Sequence, residues 1–205
     1  MLDTYLQQTF ALLLMHIMAL MVPGADFAMT LKQTTQHGRR AGMATAFGIT
    51  AGLLVHLSYA LLGVSYLLQS SPEWVQVIRV LGASYLFYLG WQMWRSPPQA
   101  SSKTLSTDAS NTQAFRQGLI TNVFNPKPAL FFLSLFSQVI DPQTPWYMLT
   151  LDVVALCGST WLWFACVALI LSQPRWQQSW QQHQAMGQRI LGSVFMLLAL
   201  GLWLA

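Results

Sequence analysis

Charge is what this sequence has least of. Ten Lys/Arg and six Asp/Glu among 205 residues make 8%, against roughly 25% in an ordinary soluble domain. So few charges cannot cover a surface that faces water, which excludes a soluble globule. They are also missing in long blocks: Thr4–Ala25 runs 22 residues without one, Ala41–Pro72 runs 32 and Val153–Pro174 runs 22. About 20 apolar residues cross a bilayer as a helix, so the chain reads as a polytopic membrane protein. Cysteine is nearly absent as well. Cys157 and Cys166 lie nine apart in one apolar run, on opposite faces of a helix and about 13 Å apart along its axis. They cannot pair with each other, and they read as buried small apolar residues. Because both fall in one segment, thiol transfer between two halves is excluded. No His-Glu-x-x-His, paired acids or metal-ligand cluster is visible, which leaves no case for an enzyme and implies neither cofactor nor resident metal. A secretory leader would need a basic start and a small-residue cleavage site. Asp3 is the one early charge, so the first apolar run is expected to be a retained span.

Six apolar segments emerge, at Leu6–Leu31, Gly42–Leu68, Val75–Trp94, Gly118–Val139, Tyr147–Leu171 and Arg189–Leu204. The sequence therefore predicts an all-α membrane protein of six transmembrane helices. Residues 96–115, rich in Ser, Thr, Gln and Pro, read as a flexible linker between a first three-helix unit at 1–95 and a second at 116–205. Trp176 and Trp180 in the last connection suggest a short interfacial helix. Lys32, Arg39, Arg40, Arg95, Lys103, Arg116, Arg175 and Arg189 all fall in the odd connections, and Arg79 alone lies near an even one. The positive-inside bias puts the odd connections in the cytoplasm. It also accounts for the net charge of +4 without a nucleic-acid partner. Arg79-Val80-Leu81-Gly82-Ala83 opens the third segment and Arg189-Ile190-Leu191-Gly192-Ser193 the sixth. An echo at matching places in two three-span halves predicts an inverted repeat, an architecture common among secondary transporters.

Such transporters bind substrate where helices break at matching positions. Pro23-Gly24-Ala25-Asp26-Phe27 interrupts the first segment, and Asn122-Val123-Phe124-Asn125-Pro126-Lys127-Pro128 the fourth. Asp26 is expected to cap a restarting half-helix, and Asn125 another with Pro126 at its first position. Two helix heads facing each other would favour an anion such as a carboxylate. Asp26 is then either a proton carrier or the partner of a substrate ammonium, since an unpaired acid inside a membrane is costly. Lys127 either counters Asp26 or lines the cavity wall. In the second segment Ala44, Gly48, Gly52 and His56 recur every four residues, a small-residue packing stripe. Such a stripe packs helices within a chain or between copies, so a homo-oligomer stays open. His56 on that stripe, and His16 in the first segment, are preferred as packing residues over proton relays. Asp152 reads as an interfacial charge near the end of the fifth segment.

These residues resemble a known family. Pro23 to Phe27, Gly38-Arg39-Arg40-Ala41-Gly42, Gly48-Ile49, Gly52 and His56 are similar to the opening of the lysine exporter (LysE) superfamily. Gly118-Leu119-Ile120-Thr121-Asn122 with Asn125-Pro126-Lys127 matches its second signature, and Tyr85 to Gly90 also fits. The homoserine/threonine exporter branch is the most similar. The resemblance implies an inner-membrane carrier that exports small amino acids, driven by protons, with its motif acid at Asp26 and its motif asparagine at Asn125. The family usually has Pro where this chain has Ala25, so Pro23 and Gly24 must break the helix alone. The competing expectation is a cation or metal-ion exporter of related architecture, which would need His16, Asp26, His56 and Asn125 to converge.

Overall fold

A computed structural model describes residues 2–70, 72–95, 110–139 and 144–204, and its described residues are helical with no strand. The helices are α1 (Leu2–Met21), α2 (Ala25–Ser70), α3 (Pro72–Arg95), α4 (Asn111–Val123), α5 (Pro126–Val139), α6 (Trp146–Leu171) and α7 (Pro174–Leu204). The first apolar segment is thus split between α1 and the start of α2, and the fourth between α4 and α5. Both splits fall where the sequence places a helix stop.

Helix α2 bends at Gly38, whose φ of 84° and ψ of 177° belong to a region open in practice to glycine alone. That one residue turns the chain from the end of the first apolar segment into the second, so no loop separates them. At α4, the Ser110 hydroxyl accepts the Gln113 N–H at 3.2 Å, a side-chain N-cap. Helix α4 therefore starts within the expected linker: 111–115 are helical, while 96–109 lie outside the described residues. The expected interfacial helix around Trp176 is also revised. Pro174 is at the first position of α7, and the helix runs unbroken from there to Leu204, because nothing in Gln177–Arg189 stops it.

The outside of the bundle is apolar. Phe10, Leu62, Val154 and Leu197 are each more than 60% exposed, as suits side chains in lipid. Helices Ala25–Gly63 and Trp146–Leu171 are long and apolar enough by themselves to cross a membrane, while Tyr5–Met21 and Ala185–Gly201 are shorter apolar stretches. In lipid there is no hydrophobic drive between helices, so close packing and polar contacts must hold them together. The small-residue stripe does this between α2 and α4. A Cβ on Gly48 would collide with the Phe115 carbonyl, and one on Gly118 with the Thr45 carbonyl. Thr45 Oγ1 lies 2.9 Å from the Ala41 carbonyl and 3.3 Å from that of Ala114 across the interface. Behind this seam Leu12, Leu53, Leu57, Phe132, Phe136, Leu156 and Phe195 form one buried cluster, and Phe27, Ile49 and Phe164 a second. The two copies of the echo meet different neighbours: Gly82 packs on Ser134, whereas Gly192 packs on Gly90.

Candidate functional site

Pro23 has no N–H to give the Ala19 carbonyl, and Pro126 none for the Asn122 carbonyl, so each proline stops its helix. Each carbonyl keeps only a tighter bond, from the Val22 N–H at 3.2 Å and the Asn125 N–H at 2.9 Å, with a further lone pair to fill. The two are filled in parallel ways. Lys127 Nζ, from α5, donates to the Ala19 carbonyl at 3.0 Å and the Val22 carbonyl at 2.9 Å. A cation thus sits at the negative end of α1. His56 Nε2, from α2, donates to the Asn122 carbonyl at 2.8 Å, which also accepts the Asn125 N–H at 2.9 Å. Each break is therefore capped by a basic side chain from the other half of the chain. Lys127 thus caps α1 while lining the cavity wall beside Asp26.

The breaks also meet directly. Asp26 Oδ2 accepts Asn122 Nδ2 at 3.1 Å and Asn125 Nδ2 at 3.0 Å, while Asp26 Oδ1 is buried with no hydrogen-bond partner. Asp26 does not cap α2 as expected. The Ala28 N–H bonds the Gly24 carbonyl at 2.9 Å, so Gly24 holds the cap position and Asp26 projects from the first turn toward α4 and α5. Asn125 does cap: its Oδ1 accepts the Lys127 N–H at 3.0 Å, with Pro126 at the first helical position. That corrects the expected pair of anion-binding helix heads. At α5, Pro126 and Pro128 have no N–H and the Lys127 N–H is already bonded, so that helix head has no donor left in its first three residues for an anion.

A cavity of about 50 Å³ adjoins this cluster, lined among others by His16, Asp26, Phe27, Asn122, Asn125 and Lys127. His16 and Thr160 Oγ1 are 2.8 Å apart, and the Thr160 hydroxyl donates to the Leu156 carbonyl at 2.8 Å, so the imidazole Nε2 is the donor. His56 Nδ1 is matched to the Tyr59 hydroxyl. Both histidines are thus held by protein partners. The described residues hold no group of three His, Cys, Asp or Glu arranged around a cation. Gly52 fixes the cluster from behind, since a Cβ there would come within 2.9 Å of Asn122 Cβ and Oδ1.

The geometry gives partners to residues that the sequence left without a role in the site. Asp152, near the start of α6, is buried against α1 and accepts the Thr9 hydroxyl at 2.7 Å. A second cavity, of about 460 Å³, shares Val22, Gly24, Asn125 and Lys127 with the first and extends to Tyr85, Tyr88, Gln92 and Gln188. Gln188 stands one residue before the expected start of the sixth segment, and only its uncharged polarity beside an apolar run marked it.

The sequence profile described as LysE type translocator matches residues 17–205. This chain belongs to that family. Among similar LysE relatives, the threonine efflux protein of Salmonella typhi is 29% identical over 84% of this chain and 86% of its own. The homoserine/homoserine lactone efflux protein of Salmonella typhimurium is 29% identical over 92% of each chain. The membrane protein YahN of Escherichia coli is 29% identical over 88% of this chain and 82% of its own. No solved structure matches. Family membership makes this a membrane translocator, and the PGADF and NPK motifs of the LysE resemblance are the two breaks that meet at Asp26.

Proposed function

We propose that this LysE translocator is a proton-driven secondary exporter of small amino acids of the threonine and homoserine kind, and not an enzyme. It spans the bacterial inner membrane six times as two inverted three-helix repeats, with the odd connections in the cytoplasm. The names of its relatives support the substrate class, and the bias of Lys and Arg supports the orientation. The observation that carries the mechanism is Asp26. One carboxylate oxygen is held by both asparagines of the other break, and the second is buried without a partner in a residue that lines a cavity large enough to hold water.

In this reading Asp26 carries the proton. Protonation at Oδ1 leaves both asparagine bonds to Oδ2 in place but weakens them, because neutral acceptors bind less strongly than ionised ones. The contact that ties the two breaks together is then strongest with the acid ionised and loosens when it is protonated, which couples the proton to the opening of one side. Purified protein in liposomes should accumulate threonine or homoserine when the lumen is more acidic than the bath. Correctly folded protein that moves no small amino acid, with or without a gradient, would overturn the proposal.

A further inference from the structure

The 50 Å³ cavity beside Asp26 cannot admit an amino acid. The adjoining 460 Å³ cavity falls in the range of about 300–1,000 Å³ usual for small-molecule sites. We infer that this larger cavity, between the two helix breaks and helices α3 and α7, is the substrate chamber, and that it takes a zwitterionic amino acid with Gln188 as acceptor for its ammonium and Lys127 as counter-ion for its carboxylate. This rests on the export reading and adds to it a division of labour: the proton at Asp26 in the smaller cavity, the cargo in the larger one.

Two independent features point to a ligand. Gln188 borders the chamber and is 5% exposed, and its Oε1 is buried with no hydrogen-bond partner, one carboxamide rotation from a donor in the chamber. A buried amide oxygen left unpaired is costly, and it can be satisfied only by a donor, which an α-ammonium supplies. Lys127 lines both cavities. Its ammonium has three N–H groups, two of which go to the α1 carbonyls, leaving one for an anion. Tyr85, Tyr88 and Gln92 complete a wall of mixed polarity. That wall suits a short side chain bearing a hydroxyl better than a long apolar one.

The test uses the full chain in liposomes loaded with threonine, measuring exchange with labelled threonine in the absence of a proton gradient. Gln188→Leu should raise the half-saturation concentration about tenfold, the loss expected for one hydrogen bond to a charged group, with the maximal rate within twofold. Gln188→Glu keeps acceptor oxygens and should restore half-saturation. In a background with Cys157 and Cys166 replaced by Ser, threonine should protect Tyr85→Cys from a maleimide. It should not protect Met186→Cys, which lines a separate cavity of about 380 Å³ that also borders Gln188. The Tyr85→Cys arm keeps Gln188 native, so it decides the matter even if Gln188→Leu fails to fold. Unchanged half-saturation in folded Gln188→Leu, or labelling of Tyr85→Cys indifferent to threonine, overturns the chamber and leaves the export reading standing. Absence of any exchange by the parent protein overturns both.

Discussion

Replacing Asp26 by Asn separates a proton carrier from a structural acceptor. The carboxylate accepts two amide N–H groups at 3.1 and 3.0 Å, each charge-assisted bond contributing about 1.5–3 kcal/mol against about 0.5–1.5 for a neutral one. An asparagine whose carbonyl oxygen takes the place of Oδ2 keeps both bonds in neutral form and loses about 2–3 kcal/mol. Removing a buried charge offsets that, since desolvation of an ion costs several kcal/mol. Asp26→Asn should therefore unfold in detergent within about 2 kcal/mol of the parent. Asp26→Leu strands both asparagine amides, at about 1–3 kcal/mol each, and should lose about 2–6. In inverted membrane vesicles Asp26→Asn should exchange substrate but fail to accumulate it against a gradient. Gradient-driven accumulation at the parental rate by Asp26→Asn would refute the argument and reduce Asp26 to an acceptor that holds the two breaks together.

Gly48→Ala should lower stability in detergent by about 1–3 kcal/mol, the usual result of overpacking, because its Cβ meets the Phe115 carbonyl; Gly63→Ala, with nothing within 4 Å, should melt as the parent does. Lys127→Met strips a charged donor from two carbonyls of α1 and should cost about 2–4 kcal/mol, read by thermal unfolding in detergent; an unchanged melting point would mean that the cap contributes nothing. His56→Gln retains a donor for the Asn122 carbonyl and should keep gradient-driven transport within twofold. A tenfold loss of pumping with normal exchange would instead make the imidazole part of the proton path.

Both breaks were legible because proline acts through its own backbone: it removes one N–H wherever the chain goes afterwards. The stripe of Ala44, Gly48 and Gly52 was legible for a similar reason, since positions four apart share a face in any helix. What the sequence did not disclose is which side chain would answer each freed carbonyl. Lys127 and the Ala19 carbonyl are 108 residues apart, and His56 and Asn122 are 66 apart; no local pattern links them. Asp26 was misread as a cap because Asp caps helices well in general, but here the Gly24 carbonyl already closes the first turn. The paired helix heads failed for a reason that was visible in Pro126-Lys127-Pro128, two of whose three residues have no N–H to offer. Trp176 and Trp180 at a spacing of one helical turn fit a surface helix and the entry of a long one equally, so composition did not decide between them. The place of Asp152 near a helix end was judged by distance along the helix, whereas its burial depends on Thr9 of α1 lying against it.

The reciprocal capping of the breaks bears on how the protein is made. When the first half leaves the ribosome, the Ala19 and Val22 carbonyls have no lysine and Asp26 has no asparagine; those partners lie about a hundred residues downstream. An acid waiting in the membrane costs about 2.5–3.5 kcal/mol on the insertion scale, so the early half should linger at the translocon or stay close to water until the late half arrives. The two halves synthesised as separate polypeptides should each be degraded when alone and persist when produced together, for each holds the parts that complete the other.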